Sequence, residues 1–412
     1  MAAEVAAEAS RESRVSREEP GRVRRFFALD LLDNRFPALH GLRFLAIITV
    51  VQYHVTWVFA GEQGLAIDGE FLGPSLSIFF GMDLFFLLSG FLIGSILLRS
   101  IETQGTQQLR RFYLRRMFRT FPSYYVVLAV LSVLMARLHM LTPDQRHNLW
   151  YEATYLTNFR PLGRTDVVMF WGWSLGLEEQ FYLTVPLLFV VLQRLRSDRA
   201  RVTLLLLLWA SALVVRLVLF YRGRPWNDFA LYGALYFRTY TRFDTLLAGI
   251  LLALVHQRWR KPLTAWLEHP LHRALVALPS LACLWLLLRP WMFGWARVQL
   301  VHVFAWGTVT TLMWFGFLVL LLHGEGALGR FLSWPWFRRL ATLGYGVYLV
   351  HIPLLDWVIV PLAHRLDARR VSMWITWPAS LVTLMALSLA VAYLMHVFIE
   401  KPSLRVRDWL AA

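Results

Sequence analysis

The sequence predicts an all-α, polytopic membrane protein with about ten transmembrane helices. Its 412 residues are 58% hydrophobic, and its mean hydropathy is +0.50. Apolar runs long enough to cross a ~30 Å hydrocarbon core recur along the chain. The 42 Lys and Arg residues, against 26 Asp and Glu, lie largely in short stretches between these runs. We therefore attribute the net charge of +16 to membrane topology and expect no nucleic-acid partner.

The apolar runs define the predicted topology. Residues 1–36 carry seven arginines and no apolar core of a signal peptide, so we expect a disordered basic cytoplasmic tail. A transmembrane domain over 37–402 and a short cytoplasmic tail over 403–412 follow. Lys and Arg are most frequent in the segments that are cytoplasmic when both termini are cytoplasmic, which favours that orientation. The predicted spans are 38–60, 72–98, 121–140, 171–193, 203–221, 232–257, 273–288, 299–322, 340–362 and 373–399.

The first span contains two residues that hydrocarbon does not favour, Arg43 and His54. Eleven helical steps of ~100° end about 20° past three full turns, so both residues lie on one face, ~16 Å apart. An arginine in the middle of a membrane helix costs about 2.5–3.5 kcal/mol on insertion scales. Two such groups on one stripe predict a polar cavity. The alternative is that Arg43 reaches the headgroups from the helix end and His54 is a packed histidine.

Two acidic residues are candidate partners for this stripe. Asp83 lies within the second span and is a possible partner for His54 or for a substrate. Ser174, Glu178 and Tyr182 follow one another at intervals of four on one helix face. The alternatives are an aspartate near the membrane interface and a glutamate favoured by the dipole of the helix N-terminus.

A basic segment precedes Pro122, and in it Arg116 and Arg119 are three residues apart. On a helix they would share a face. Guanidinium groups bind phosphate through two parallel hydrogen bonds, so the pair is a candidate phosphate site. The alternative is a positive flank that contacts anionic lipid on the cytoplasmic side.

Together these segments resemble the membrane acyltransferase-3 family over roughly residues 37–405. Each motif is weak alone, whereas the ordered set is specific. The motifs are Arg43-x10-His54, Gly-Met-Asp-Leu-Phe-Phe-x-x-Ser-Gly-Phe-Leu at 81–92, the Arg-x-x-Arg of Arg116 and Arg119, Trp-Ser-Leu-x-x-Glu-Glu-x-Phe-Tyr at 173–182, Arg-Phe-Asp at 242–244, Tyr-Leu-Val-His at 348–351 and Glu-Lys-Pro at 400–402.

The resemblance implies an integral membrane enzyme of the cell (inner) membrane, with 37–402 as the transmembrane acyltransferase domain. Such enzymes move an acyl group, usually acetyl, from acyl-CoA to a hydroxyl of a surface polysaccharide, a lipid-linked glycan, peptidoglycan or an antibiotic. The implied partners are acetyl-CoA, a hydroxyl acceptor and membrane lipids. Some relatives carry a fused extracytoplasmic esterase-like domain, which we do not expect here. Phe44, Gly344 and Gly346 depart from the residues usual in the family.

Carried over by match, Arg43 and His54 are the essential pair, and Arg116 and Arg119 contact the coenzyme. In the mechanism we predict, acetyl-CoA enters from the cytoplasm, and Arg43 holds the coenzyme or stabilises developing negative charge. His54 acts as general base or carries the acetyl group. Either Asp83 or Glu178 orients His54.

Several alternatives remain open at this stage. A transporter or flippase of a lipid-linked sugar would also use intramembrane charges, although we see no inverted repeat of broken helices. A membrane scaffold would leave Arg43 and His54 unexplained. We expect no metal, because the one cysteine, Cys283, and the histidines show no zinc spacing. His351 is interpreted as a packed histidine.

Overall fold

The computed structural model describes residues 27–59, 79–104, 107–159, 165–226, 228–288, 299–324 and 326–411. These residues contain helices and turns and no β-strand, which confirms the all-α prediction. In chain order the α-helices are α1 (Ala38–Trp57), α2 (Gly81–Gln104), α3 (Gln107–Arg137), α4 (Pro143–Ala153), α5 (Trp173–Arg194), α6 (Asp198–Arg222), α7 (Asp228–Leu235), α8 (Thr239–Arg242), α9 (Asp244–Glu268), α10 (Pro270–Leu287), α11 (Gln299–Phe304), α12 (Thr310–His323), α13 (Ala327–Leu332), α14 (Pro335–Leu354), α15 (Val360–Ala368), α16 (Met373–Met395) and α17 (Lys401–Ala411).

Nine helical segments in the described part of the chain are long and apolar enough to span a membrane. A tenth long helix, α9, has 25 residues but carries too many charged side chains to qualify. Its first eleven residues, 244–254, are all buried, so other helices rather than lipid surround that half. The nine segments are Ala38–Trp57, Gly81–Arg99, Leu109–Arg137, Phe170–Arg194, Asp198–Arg222, Pro270–Leu287, Leu300–His323, Pro335–Ala368 and Met373–Leu410.

The third and sixth predicted spans differ from the observed helices. The third helix begins at Gln107, before the predicted span at 121, so Arg116 and Arg119 lie on this helix. The sixth predicted span, 232–257, is broken at Arg238, whose backbone is extended. The Arg238 guanidinium donates to the carbonyl of Gly233 at 3.1 Å, in the last turn of α7, and so satisfies a group that the helix end leaves unpaired.

The predicted tails are described only in part. Residues 1–26 of the N-terminal tail, and residue 60 and residues 72–78 of the first two predicted spans, lie outside the described residues. Residues 27–36 cross one end of the helix bundle. There Lys401 Nζ donates to the Ala28 carbonyl at 2.8 Å, and Arg338 Nε donates to the Leu32 carbonyl at 2.6 Å. After 402, where the sequence predicted a short tail, helix α17 continues to Ala411.

Close contact between α2 and α9 forms the centre of the bundle. A Cβ on Gly90 of α2 would strike the carbonyl oxygen of Leu246 and would lie 3.1 Å from Cα of Gly249, both on α9. Small residues at such contacts let two membrane helices bring their backbones together. Gly90 therefore allows the backbones of α2 and α9 to pack closely.

Two buried ion pairs tie α9 and its neighbours together. Arg242 donates to Asp83 at 2.8 Å, and both side chains are completely inaccessible to solvent. Arg216 donates to Asp244 at 2.8 Å and is buried to the same degree. Each pair matches the charge of an arginine inside the membrane domain, where an unmatched charge would be costly.

The break between α11 and α12 depends on Arg216. The π-helical segment Ala305–Val309 is distorted, and Gly307 has φ of 84°, a conformation that suits glycine. Arg216 donates to the carbonyl of Val303 at 3.1 Å and to Thr308 Oγ1 at 2.7 Å, on either side of this glycine. Irregular backbone at membrane depth is tolerated when protein groups satisfy it in this way.

The segment between α3 and α5 is fixed by one buried carboxylate. Glu152, in the last turn of α4, accepts hydrogen bonds from the backbone N–H groups of Val168 at 3.0 Å and Met169 at 2.7 Å. Burial raises the pKa of Glu152 from its ordinary value of 4.5 to about 7, although the two N–H groups act in the opposite direction. Glu152 thereby sets the path of the chain as it enters α5.

We predict that Glu152→Gln weakens the pH dependence of stability. The folded protein holds the Glu152 proton more tightly than the unfolded chain does, so this group makes the protein less stable as pH rises from about 4.5 to about 7. Glutamine cannot titrate. Thermal unfolding in detergent at several values between about pH 5 and 7.5 should show a shallower decline for the variant. Equal slopes for both proteins would contradict the assignment.

Candidate active site

Arg43 and His54 lie on one continuous helix, α1, as predicted. Their eleven-residue separation places them on one face, ~16 Å apart along the axis. We call the two ends of the bundle the arginine end, which contains Arg43, and the histidine end, which contains His54.

Three arginines converge at the arginine end. Arg116 and Arg119 of α3 are the charges that act most strongly on Arg43. The Arg116 guanidinium lies over the ring of Tyr182, 5.0 Å from its centroid. None of the three arginines forms an ion pair within the described part of the chain, unlike Arg216 and Arg242. Grouped cations of this kind repel one another and favour the binding of an anion.

A polar stripe on α5 faces the stripe on α1. Tyr182 and Glu178 act on Arg43, whereas Phe170, just before α5, lies 6.4 Å from His54 between ring centroids. The helix α5 therefore runs antiparallel to α1, and its stripe passes from Ser174 at the histidine end to Tyr182 at the arginine end. Ser174 Oγ hydrogen-bonds to the Tyr348 hydroxyl at 2.5 Å, and the Tyr182 hydroxyl bonds to Ser89 Oγ at 2.8 Å. Glu178 lies beside Ser89 and Tyr182, within electrostatic reach of the arginines. It is 6% exposed, and its Oε1 has no hydrogen-bond partner among the described residues.

Two histidines meet at the histidine end. His54 Nδ1 lies 2.9 Å from the Val50 carbonyl oxygen and 3.2 Å from His351 Nε2. His351 Nδ1 lies 2.7 Å from the Tyr348 carbonyl oxygen, and the His351 side chain is fully buried. The interpretation of His351 as a packed histidine missed this contact. The Tyr-Leu-Val-His motif marked the residue, but no spacing in the sequence links helices that are 297 positions apart.

Asp83 occupies a different place from the one we predicted. It accepts hydrogen bonds from Arg242 at 2.8 Å and from Thr245 Oγ1 at 3.3 Å. The described hydrogen-bond partners of His54 are instead Val50 and His351. A guanidinium outcompetes a neutral imidazole for a buried carboxylate, because only the ion pair neutralises both charges. We therefore interpret Asp83 as structural and no longer as the residue that orients His54.

The residues that depart from the family pattern serve packing. A Cβ on Gly346 would lie 2.8 Å from Cβ of Ala392, so α14 approaches α16 closely there. A Cβ on Gly344 would lie 3.4 Å from Ile47 Cγ1 on α1. Phe44 packs against Phe337, with ring centroids 5.9 Å apart. The Gly344 and Phe44 contacts seat α14, and with it His351, against α1, and the Gly346 contact seats it against α16.

A comparison with known families identifies the chain. The model of the acyltransferase-3 family, described as an acyltransferase domain, matches residues 36–397. The chain belongs to the acyltransferase-3 family. No group of three or more His, Cys, Asp or Glu in the described ranges of this family member could hold a metal ion. No solved structure matches the chain.

Two curated relatives of this acyltransferase-3 chain carry the name peptidoglycan O-acetyltransferase. It is 30% identical over 341 residues to the putative peptidoglycan O-acetyltransferase YrhL of Bacillus subtilis, covering 77% of this chain and 48% of the relative. It is 26% identical over 336 residues to the peptidoglycan O-acetyltransferase OatA of Listeria monocytogenes, covering 77% and 49%. The chain thus spans about half the length of these relatives.

Proposed function

We propose that the protein is an integral membrane O-acyltransferase that moves an acetyl group from acetyl-CoA to a hydroxyl of a carbohydrate acceptor. The observation that carries this proposal is the pair of facing stripes on α1 and α5, which connect the arginine cluster to His54. The names of the relatives favour acetyl as the acyl group and a glycan as the acceptor.

The arginine cluster is suited to the donor. Coenzyme A carries a diphosphate and a further phosphate, and the guanidinium groups of Arg116 and Arg119 can bind phosphate oxygens in pairs. Arg43 lies on the same side as these two and ~16 Å from His54 along α1. An extended pantetheine arm can bridge that separation. The thioester would then lie between the α1 and α5 stripes, with its phosphates at the arginine end.

His54 supplies the base in this scheme. The acceptor hydroxyl attacks the thioester carbonyl carbon as His54 Nε2 takes the hydroxyl proton. A C–O bond forms, the C–S bond breaks, and the thiolate of coenzyme A leaves and regains the proton from the imidazolium. The same nitrogen would form the C–N bond if the acetyl group passed through the histidine. In this proposal Glu178, whose Oε1 has no hydrogen-bond partner among the described residues, binds the coenzyme arm and does not orient His54.

We further propose that the arginine end faces the cytoplasm and that both termini lie there, in the cell (inner) membrane. The excess of Lys and Arg in the segments at that end supports this orientation. A donor made in the cytoplasm would then meet its phosphate site directly. The acceptor would approach His54 from the opposite side.

The rival function is transport of a lipid-linked sugar. Two observations favour the enzyme. The charges of Asp83, Arg242, Arg216 and Asp244 are matched in ion pairs, which leaves them little capacity for a moving solute. Arg43, Arg116 and Arg119, which form no ion pair within the described residues, are grouped at one end of the His54 stripe, as a phosphate-bearing donor requires.

We predict that Arg116→Ala combined with Arg119→Ala raises KM for acetyl-CoA more than it lowers kcat. Phosphate contacts are made equally in the ground state and the transition state, so their loss appears mainly in KM. Release of free CoA by purified protein in liposomes, with acceptor present, measures both constants. Arg110→Ala with Arg111→Ala removes the same charge from the same helix and serves as the control. An unchanged KM for the first variant would show that Arg116 and Arg119 do not bind the coenzyme and contribute only to membrane topology.

We predict that His54→Ala abolishes transfer while acetyl-CoA still binds. Removal of a general base lowers kcat by at least ~100-fold. The variant and an isosteric His54→Gln protein should insert in the membrane and keep their affinity for acetyl-CoA, measured by calorimetry. Acceptor-dependent CoA release would test the rate. An active His54→Ala enzyme would remove His54 from the mechanism, and acceptor flux without CoA release in the wild type would favour the transporter.

A further inference from the structure

The contact between His54 and His351 assigns a role to a residue that the sequence left without one. We propose that His351 is a positioning residue that holds the His54 imidazole by accepting its Nδ1 proton in a hydrogen bond. This inference rests on the proposed function of His54 as a base. It assigns to a second histidine the orienting role that a carboxylate plays in many catalytic triads.

The hydrogen-bond partners fix the protonation of both rings. A carbonyl oxygen only accepts, so His351 Nδ1, 2.7 Å from the Tyr348 carbonyl oxygen, must carry a proton. In a neutral ring His351 Nε2 then has the lone pair and can only accept. Its neighbour at 3.2 Å, His54 Nδ1, must donate, and it also lies 2.9 Å from the Val50 carbonyl oxygen. In a neutral His54 the basic lone pair is therefore on Nε2, the nitrogen that the proposed chemistry needs.

The two acceptors of the His54 proton are not equivalent. The Val50 carbonyl belongs to the same helix as His54, four residues earlier, and is also an acceptor in the helical backbone. It therefore cannot fix the His54 ring relative to other helices. His351 is on α14 and reaches across to α1. Imidazole nitrogen is also a stronger base than an amide oxygen, so it better supports the positive charge that His54 acquires on taking a proton.

The rest of α14 holds the His351 ring in place. The Tyr348 hydroxyl donates to the Trp171 carbonyl at 2.7 Å and bonds to Ser174 Oγ on α5. His351 itself has no exposed surface. A neutral histidine suits this position, because a buried carboxylate without a cation would carry a large desolvation penalty. The three helices α1, α5 and α14 thus meet around one hydrogen-bonded chain from His54 through His351 to the backbone of Tyr348.

We test this proposal with His351→Leu, which removes the acceptor, and His351→Gln, which keeps an acceptor oxygen. The leucine variant should lower kcat by about 10-fold or more while KM for acetyl-CoA stays within about two-fold. The glutamine variant should recover a substantial part of that loss. Equal activity of the leucine variant and the wild type would overturn the proposal. Equal losses in both variants, with matching losses of acetyl-CoA affinity, would show that His351 serves only packing.

A matched control and an independent readout separate this proposal from the proposed function. His256 and His323 form another buried histidine pair, with Nδ1 of the first 3.3 Å from Nε2 of the second. His323→Leu should lower thermal stability and leave kcat unchanged. Nitrogen-15 NMR of histidine-labelled wild-type protein should show the Nδ1-protonated form of His54, assigned by loss of its signal in His54→Gln. The Nε2-protonated form would overturn the positioning role whether or not the protein transfers acetyl groups.

Discussion

A charge inside a membrane is stabilised when an opposite charge lies beside it. In this bundle some arginines have such a partner and others do not. Inside the domain Arg216 and Arg242 are matched by aspartates at 2.8 Å, so these four charges hold helices together. The cluster of Arg43, Arg116 and Arg119 has no such ion pair in the described part of the chain. Grouped arginines that form no direct ion pair favour the binding of an anion, even with Glu178 within electrostatic reach. The proposed position of the donor site rests on that contrast, and the proposed role of the α1 stripe rests on the position of the donor site.

The helix packing brings the polar stripes of α1 and α5 together. Gly90 lets α2 and α9 touch, and the first eleven residues of α9 are all buried. Antiparallel α5 supplies Ser174 toward the histidine end and Tyr182 toward the arginine end, so the stripe on each helix complements the other. A reaction between a donor from one side and an acceptor from the other needs an arrangement of this kind, in which both substrates reach one base and neither must cross the whole membrane.

The sequence predicted what local geometry and composition determine. The helical class, the shared face of Arg43 and His54 and the α5 stripe all follow from helix periodicity, which does not depend on tertiary contacts. The partners of buried groups could not be predicted, because pairings such as His54 with His351 or Asp83 with Arg242 depend on how distant helices pack. The start of the third helix also differs from the prediction. The predicted third span began at 121 because charged residues precede it. The helix α3 nevertheless begins at Gln107, because a helix can extend beyond the hydrocarbon where its side chains reach polar surroundings.

The central claim is that the donor lies along the α1 stripe, with phosphates at one end and the acyl group at the other. The most direct measurement is a cryo-electron microscopy structure of the protein with a non-hydrolysable acetyl-CoA analogue. The account predicts phosphate oxygens within hydrogen-bond distance of Arg116 and Arg119, and an acyl carbon nearer to His54 than to any other ionisable side chain. A coenzyme bound at the histidine end, or an acyl group outside the space between α1 and α5, would contradict it.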